Sequence, residues 1–247
     1  RGQNGSGSIK GNYIMKNHHQ NLTRIKVVYD ALEELAAEVI FIGGATVSLY
    51  SDRLSEEVRP TDDVDILIEL LNYREYGNIE DKLRDKGFTN ATDSGVICRY
   101  KVNGIIVDVM PTSPEIPGFA NAWYAAGFSN SILMDIGQGY NIRIFSAVYF
   151  LASKIEAFKN RGGDDGRWST DFEDITYLLN NRKSIWKEIL ETDIAVGDYV
   201  QDFFTILLDN RYLDEWISVH LGYSEQQRTD VIISNIAELV EIRKQRK

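Results

Sequence analysis

The stretch Phe41-Ile-Gly-Gly-Ala-Thr-Val-Ser-Leu-Tyr50, and after it Arg59-Pro-Thr-Asp-Asp-Val-Asp65, decides how this chain is read. It reads as a strand, a glycine turn, a short helix over residues 45–50, and a second strand that opens on alternating carboxylates. Neighbouring side chains of a strand point to opposite faces, and residues two apart share one. Asp63 and Asp65 therefore project together, with Val64 on the other side and Asp62 on the Val64 face. Aspartate is disfavoured in strands, so two on one face call for a reason. Paired carboxylates repel unless something positive sits between them, and a divalent cation bound to a nucleoside triphosphate supplies such a charge.

Around this segment the pattern is α/β. Apolar residues at Leu22, Ile25, Val28, Leu32 and Leu35 recur at helical spacing and predict a helix over 21–37. Residues 39–42 form a short apolar run broken by Gly43-Gly44. Residues 64–70 read as a strand and 73–86 as a helix stopped by Gly87. Residues 96–102 and 105–110 read as paired strands, because Asn103-Gly104 between them is a strong two-residue hairpin signal. Residues 119–139 have no clear period, and 142–145 read as a last edge strand. Trp123, Tyr124 and Phe128 in that unclear stretch suit a core, with stacking on a base as the alternative.

From residue 146 onward every pattern is helical. Helices are expected over 146–159, from a capping box at Thr170-Asp-Phe-Glu173 to 179, and over 185–190, 198–208 and 224–243. Ser224 with Gln227 suggests a further capping box. The expected organisation is a tag-like, disordered N-terminus over 1–20, an α/β core over 21–145 and a helical domain over 146–247. The fold class is α+β: a small mixed sheet with flanking helices, followed by a C-terminal helical bundle.

Bulk properties narrow the function classes. The 247 residues carry a formal charge of −10, and dividing the chain at Phe145/Ser146 splits that deficit about evenly. Neither half is a basic module, so no extended DNA groove is expected. No apolar run reaches membrane-spanning length, and no secretory signal is visible. The single cysteine, Cys98, sits in an apolar stretch and fits a reducing, cytoplasmic compartment as a buried thiol. The histidines His18, His19 and His220 lack metal-ligand spacing.

Other residues extend the candidate site. Asp108 interrupts the apolar run Ile105-Ile-Val-Asp-Val-Met110, where a charge is costly unless paired. Two readings stand: a third metal carboxylate beside Asp63 and Asp65, or a salt bridge to Arg99 or Lys101 across the hairpin. Gly43 and Gly44 let a backbone approach phosphate oxygens, with Thr46, Arg59 and Thr61 as further donors. Lys154 lies near the face made by Leu151, Ile155 and Phe158. It either snorkels to solvent or reaches a phosphate. Asp171 suits a helix first turn, while Asp174 either orients Lys154 or acts as a base.

Gly43-Gly44, Thr61 and Asp63-Val-Asp65 together resemble the first motif of the nucleotidyltransferase superfamily with a DNA polymerase β-like fold. Asp108 in Ile-Val-Asp-Val is similar to that superfamily's third metal carboxylate. A closer likeness is to the AbiEii/AbiGii toxin-type nucleotidyltransferases. Their lysine motif is similar to Ala152-Ser-Lys154-Ile-Glu-Ala157, and their Asp-x-x-Asp motif to Asp171-Phe-Glu-Asp174-Ile-Thr-Tyr-Leu-Leu179. Thr170 departs from the basic residue expected before that last motif, with Arg167 a candidate substitute. The likeness covers about residues 39–179. It implies Mg2+ or Mn2+ held by Asp63, Asp65 and Asp108, with Lys154 and Asp174 joining them in catalysis. Nucleoside monophosphate transfer from a triphosphate would release pyrophosphate. The implied acceptor is tRNA in a phage-defence or toxin–antitoxin setting, alongside a cognate antitoxin or toxin protein. A protein side chain, a small molecule, or a non-catalytic nucleotide-binding relative are the alternatives.

Overall fold

The computed structural model describes residues 7–53, 58–70, 73–91, 98–113, 121–161 and 165–246. The chain divides into two compact units, one of residues 1–48 and 56–146, the other of residues 49–55 and 147–247.

The first unit is built on a seven-stranded sheet. Its strands are β1 (Val39–Ile42), β2 (Asp63–Ile68), β3 (Thr89–Asn90), β4 (Arg99–Val102), β5 (Ile105–Pro111), β6 (Ser131–Asp135) and β7 (Asn141–Phe145), in the order β3-β4-β5-β2-β1-β7-β6. The sheet is mixed: β2 runs parallel to β5 and β1 parallel to β7, while the other pairs are antiparallel. β2 is the central strand, so Val64, Ile66, Leu67 and Ile68 are buried. β7 lies inside the sheet between β1 and β6, not at its edge as its position in the sequence suggests. The edge belongs to β6, which emerges from the stretch that shows no period in sequence.

Helices α1 (Gly7–Leu32), α2 (Tyr73–Asp85) and α3 (Tyr124–Ser129) accompany the sheet. Of the three aromatics expected in a core, Phe128 is buried while Trp123 and Tyr124 are half-buried, and the Phe128 ring carries the Arg143 guanidinium at 4.8 Å. Helix α1 begins at Gly7, so residues 7–20, expected to be a disordered tail, are helical. Polar anchors hold its middle: the Asn17 side-chain amide donates to Val58 O at 3.0 Å, and Asn21 and Arg24 reach the loop before β2. The buried face of α1 is the predicted one, with Ile25, Val28 and Leu32 fully covered. At its far end Lys26 and Asp30 bond Gln138 and Tyr140 of the β6–β7 turn.

His18 adds a pH-dependent anchor. Its Nδ1 lies 2.9 Å from Ser48 Oγ, and burial, then the neighbouring His19, hold its pKa below the ordinary 6.5. A depressed folded-state value means the folded unit resists protonation there. The contribution of His18 is complete above pH 6.5 and is lost as pH falls through the lower folded value. Denaturation midpoints measured at pH 7.5 and 5.5 should fall further for the unsubstituted chain than for His18→Gln.

The second unit is helical: α4 (Ala147–Asn160), α5 (Thr170–Asn181), α6 (Ile185–Glu191), α7 (Ile194–Leu208), α8 (Leu213–Ser218) and α9 (Arg228–Arg246). Phe158, Phe172, Phe203 and Trp216 interlock with ring centroids 5.4–6.2 Å apart, mostly edge to face, a favoured aromatic geometry. The cap of α5 is Ser169, one residue before the expected Thr170; its side chain accepts from Phe172 N at 3.2 Å. Ser224 does not cap α9, because it lies in a separate 3-10 turn over Tyr223–Glu225. Residues 49–55, expected in the α/β core, belong with these helices. The backbone N–H of Asp52 donates to Asn181 O, Lys183 N donates to the Asp52 carboxylate, and Arg182 donates to Tyr50 O. Among the described residues no helix is long and apolar enough to cross a membrane.

Candidate functional site: an acidic sheet face with its own cation

Strand register decides which carboxylates meet. Asp65 is the direct partner of Asp108 on β5, and Asp63 pairs with Ile106. Paired residues of neighbouring strands share a face about 4.8 Å apart, and Asp63 shares the Asp65 face by alternation. The three carboxylates thus line one face of the central strands. Asp62 departs to the other face, 97% exposed and 3.7 Å from Arg24 of α1.

The glycine turn emerges beside Asp65, because Ile42, the last residue of β1, is the register partner of Asp65. Gly43 takes φ +72°, and a Cβ there would run into Asp65 Oδ2. At Gly44 a Cβ would meet the Arg59 guanidinium. The glycines therefore make room for the Asp65 carboxylate and the Arg59 fork against the turn. Gly43→Ala should cost about 1–2 kcal/mol from left-handed backbone alone, with the clash in addition, and lower the melting temperature by roughly 2–4 °C per kcal/mol. Gly44→Ala, whose Cβ would meet chiefly the movable end of Arg59 and only touch Thr61 Cγ2 at 3.0 Å, should lose less in the same thermal scan.

Two expected phosphate donors are committed elsewhere. Thr46 is fully buried, and its hydroxyl donates to Gly43 O at 2.9 Å, closing the 3-10 turn over Gly44–Tyr50. Thr61 is buried too, and its hydroxyl donates to Asn21 Oδ1 of α1 at 3.2 Å. Both serve the backbone path rather than an open pocket. Arg59 is half-buried and stays at the turn.

The residue that sequence reasoning gave too little weight is Arg99. Its Nε and Nη2 each donate to an Asp108 oxygen at 2.7 Å, a two-pronged fork, and Nη2 also lies 3.3 Å from Asp63 Oδ2. The hydrogen bonds to Asp108 raise its already high pKa further, so it remains a cation at any working pH. The salt-bridge reading of Asp108 is thus realised, with Arg99 and not Lys101 as partner. The signal was available: a two-residue turn at Asn103-Gly104 pairs 102 with 105 and, counting back, 99 with 108. Cys98, next along the chain, is buried, and its pKa is pushed up to about 12 by burial, then by Asp108 and Asp65. It is a neutral, inert thiol, as its apolar setting suggests.

Carboxylate oxygens are the donors that Mg2+ and Mn2+ prefer. Asp63, Asp65 and Asp108 fit such an ion in type and in shared face. As the side chains stand, however, no three His, Cys, Asp or Glu groups among the described residues converge closely enough to hold one. Arg99 supplies the positive charge between Asp63 and Asp108 in its place.

The second unit holds the other candidates. Lys154, expected to snorkel or to reach a phosphate, does not snorkel to solvent. It is 8% exposed, and its ammonium lies 3.1 Å from Asp171 Oδ1 and 2.7 Å from Asp174 Oδ2. Arg161 completes the cluster from the surface at 2.8 Å from Asp171 Oδ2. Two cations balance two carboxylates, which lets Lys154, Asp171 and Asp174 stay charged in a helical interior while Arg161 reaches in from the surface. Asp174 orients Lys154, one of its two expected roles. Arg167, the candidate substitute before Asp171, is occupied by Asp165 and Glu215.

Fold and face define the class: a mixed-sheet α+β chain with an acidic cluster on its central strands beside a glycine turn, and a C-terminal helical unit. No family model matches the chain, and no curated protein matches its sequence. Among solved structures, it is similar to the solution structure of the antibiotic-resistance factor ANT(2'')-Ia. The two are 15% identical, with 77% of this chain and 96% of that one covered, at a TM-score of 0.49.

Proposed function

We propose that this chain is a metal-dependent nucleotidyltransferase. The observation that carries the reading is the register that sets Asp65 against Asp108 with Asp63 on the same face, beside the Gly43-Gly44 turn. Asp63 and Asp65 would hold Mg2+ or Mn2+, and Asp108 would complete the set. The bound ion would supply charge neutralisation for the triphosphate and the developing negative charge of transfer. Arg59, whose guanidinium lies against the turn, would meet a triphosphate oxygen. An acceptor hydroxyl oxygen bonds to the α-phosphorus, its proton leaves to water, the bond to the β-phosphate bridge breaks, and pyrophosphate departs. Positioning and charge neutralisation account for most of the acceleration in such a reaction. Lys154 and Asp174 pair in the interior of the helical unit, and the transfer step as proposed does not use them.

The biological reading is a toxin-type enzyme acting on tRNA, with a cognate antitoxin as partner, supported by the motif likeness alone. Incubation with each α-labelled nucleoside triphosphate and total cell RNA and protein tests it. A labelled tRNA band supports the reading, and a labelled protein band moves the acceptor to a side chain. Nucleotide binding without pyrophosphate release makes the chain a non-catalytic binder and overturns the transferase.

A further inference from the structure

We infer that Arg99 is a built-in counter-ion that occupies the carboxylate face when no metal is bound and must release Asp63 before a metal can bind there. The inference rests on the proposed metal-dependent reading and deepens it. Three observations carry it. The Arg99 fork on Asp108 uses two donors at 2.7 Å each, whereas its bond to Asp63 is a single longer one at 3.3 Å. Asp108 is nearly buried, with its side chain 9% exposed, while the Asp63 side chain is 37% exposed. No carboxylate set among the described residues is converged for a metal while the guanidinium sits there.

These contacts are unequal in strength. A bidentate, charge-assisted fork in a desolvated setting is strong, and a single longer contact at a solvent-facing carboxylate is weak. The guanidinium therefore holds Asp108 firmly and Asp63 loosely. Incoming divalent cation displaces only the loose contact, and Asp108 would join it through the oxygen lone pairs that the Arg99 fork leaves open. Arg99 is a positioning residue for Asp108, and at Asp63 it sets a threshold that a metal must exceed. A metal delivered with a triphosphate gains further binding from the phosphates, so the threshold favours the metal–nucleotide complex over the free ion.

The test uses Mn2+ alone with the full chain, free Mn2+ being read by electron paramagnetic resonance. Arg99→Met should bind Mn2+ about tenfold more tightly than the unsubstituted chain. Lys101→Met removes an equal charge two residues along the same strand face and should change affinity by no more than about twofold. Adding Asp63→Asn to Arg99→Met should abolish the gain. Arg99→Lys keeps the charge without the fork and should show a smaller rise, which carries the test if the methionine variant does not fold. A merely structural arginine would not raise metal affinity on removal. Equal affinity in the Arg99 variants and the unsubstituted chain, or an equal gain in Lys101→Met, overturns this inference. If Asp63→Asn still weakens Mn2+ binding in that case, the metal reading stands. No Mn2+ binding in any variant overturns both.

Discussion

Asp63→Asn is expected to lower nucleotide transfer by on the order of 10³ at saturating magnesium and substrate, a loss typical of removing a group that stabilises transition-state charge. The substitution keeps the shape of the side chain and removes its charge. Asp63 opens β2 with a partly exposed side chain, and it meets Arg99, which Asp108 holds more firmly. The sheet should therefore remain intact, and the melting temperature should stay within a few degrees of the original. Asparagine can still accept a hydrogen bond from Arg99, so a loss of activity reports the missing charge and not a collapsed site. Initial rates of pyrophosphate release from both proteins decide it, and an unchanged rate would remove Asp63 from the transfer machinery.

The second large effect concerns stability. Lys154→Met should destabilise the helical unit by about 3–5 kcal/mol, because removing one member of a buried ion cluster leaves buried charge without compensation. The Asp171 and Asp174 side chains are only 3% and 1% exposed. Arg161 stays on Asp171 after the change, whereas Asp174 loses the ammonium that faces it at 2.7 Å. Removing that carboxylate as well should restore much of the loss, since replacing a whole buried pair by neutral groups is often close to neutral. Urea unfolding followed by circular dichroism compares Lys154→Met with Lys154→Met/Asp174→Asn. A single variant as stable as the original would mean that the cluster contributes nothing. A double variant weaker than the single one would mean that Asp174 is held by something other than Lys154.

Much of the acidic face was legible because local rules set it. Alternation along Asp63-Val-Asp65 fixes the shared face, and Asn103-Gly104, with φ +47° and +82°, is the two-residue turn that its composition demands. That turn also fixed the pairing of Arg99 with Asp108, and only the count back along β4 was missing. Long-range pairing was not legible. The insertion of β7 between β1 and β6 joins strands far apart in sequence, and nothing in residues 141–145 marks an interior position. Helix α1 begins earlier than its apolar pattern because its first turns carry no such pattern; polar anchors such as Asn17 and His18 hold its middle. The six-residue α8 was too short to show a period. For Thr46, Thr61 and Lys154 residue type alone suggested phosphate contacts. Their partners (Gly43 O, Asn21, and Asp171 with Asp174) are tertiary neighbours that spacing does not reveal.

The central claim is that Asp63 and Asp65 bind a nucleoside triphosphate through a divalent cation. Calorimetric titration with a non-hydrolysable triphosphate, with and without magnesium, tests it on the full chain. Binding that depends on magnesium is expected in the original protein, and its loss is expected in Asp63→Asn/Asp65→Asn even at high magnesium. Binding of equal strength without magnesium, and undiminished in the double variant, would contradict it.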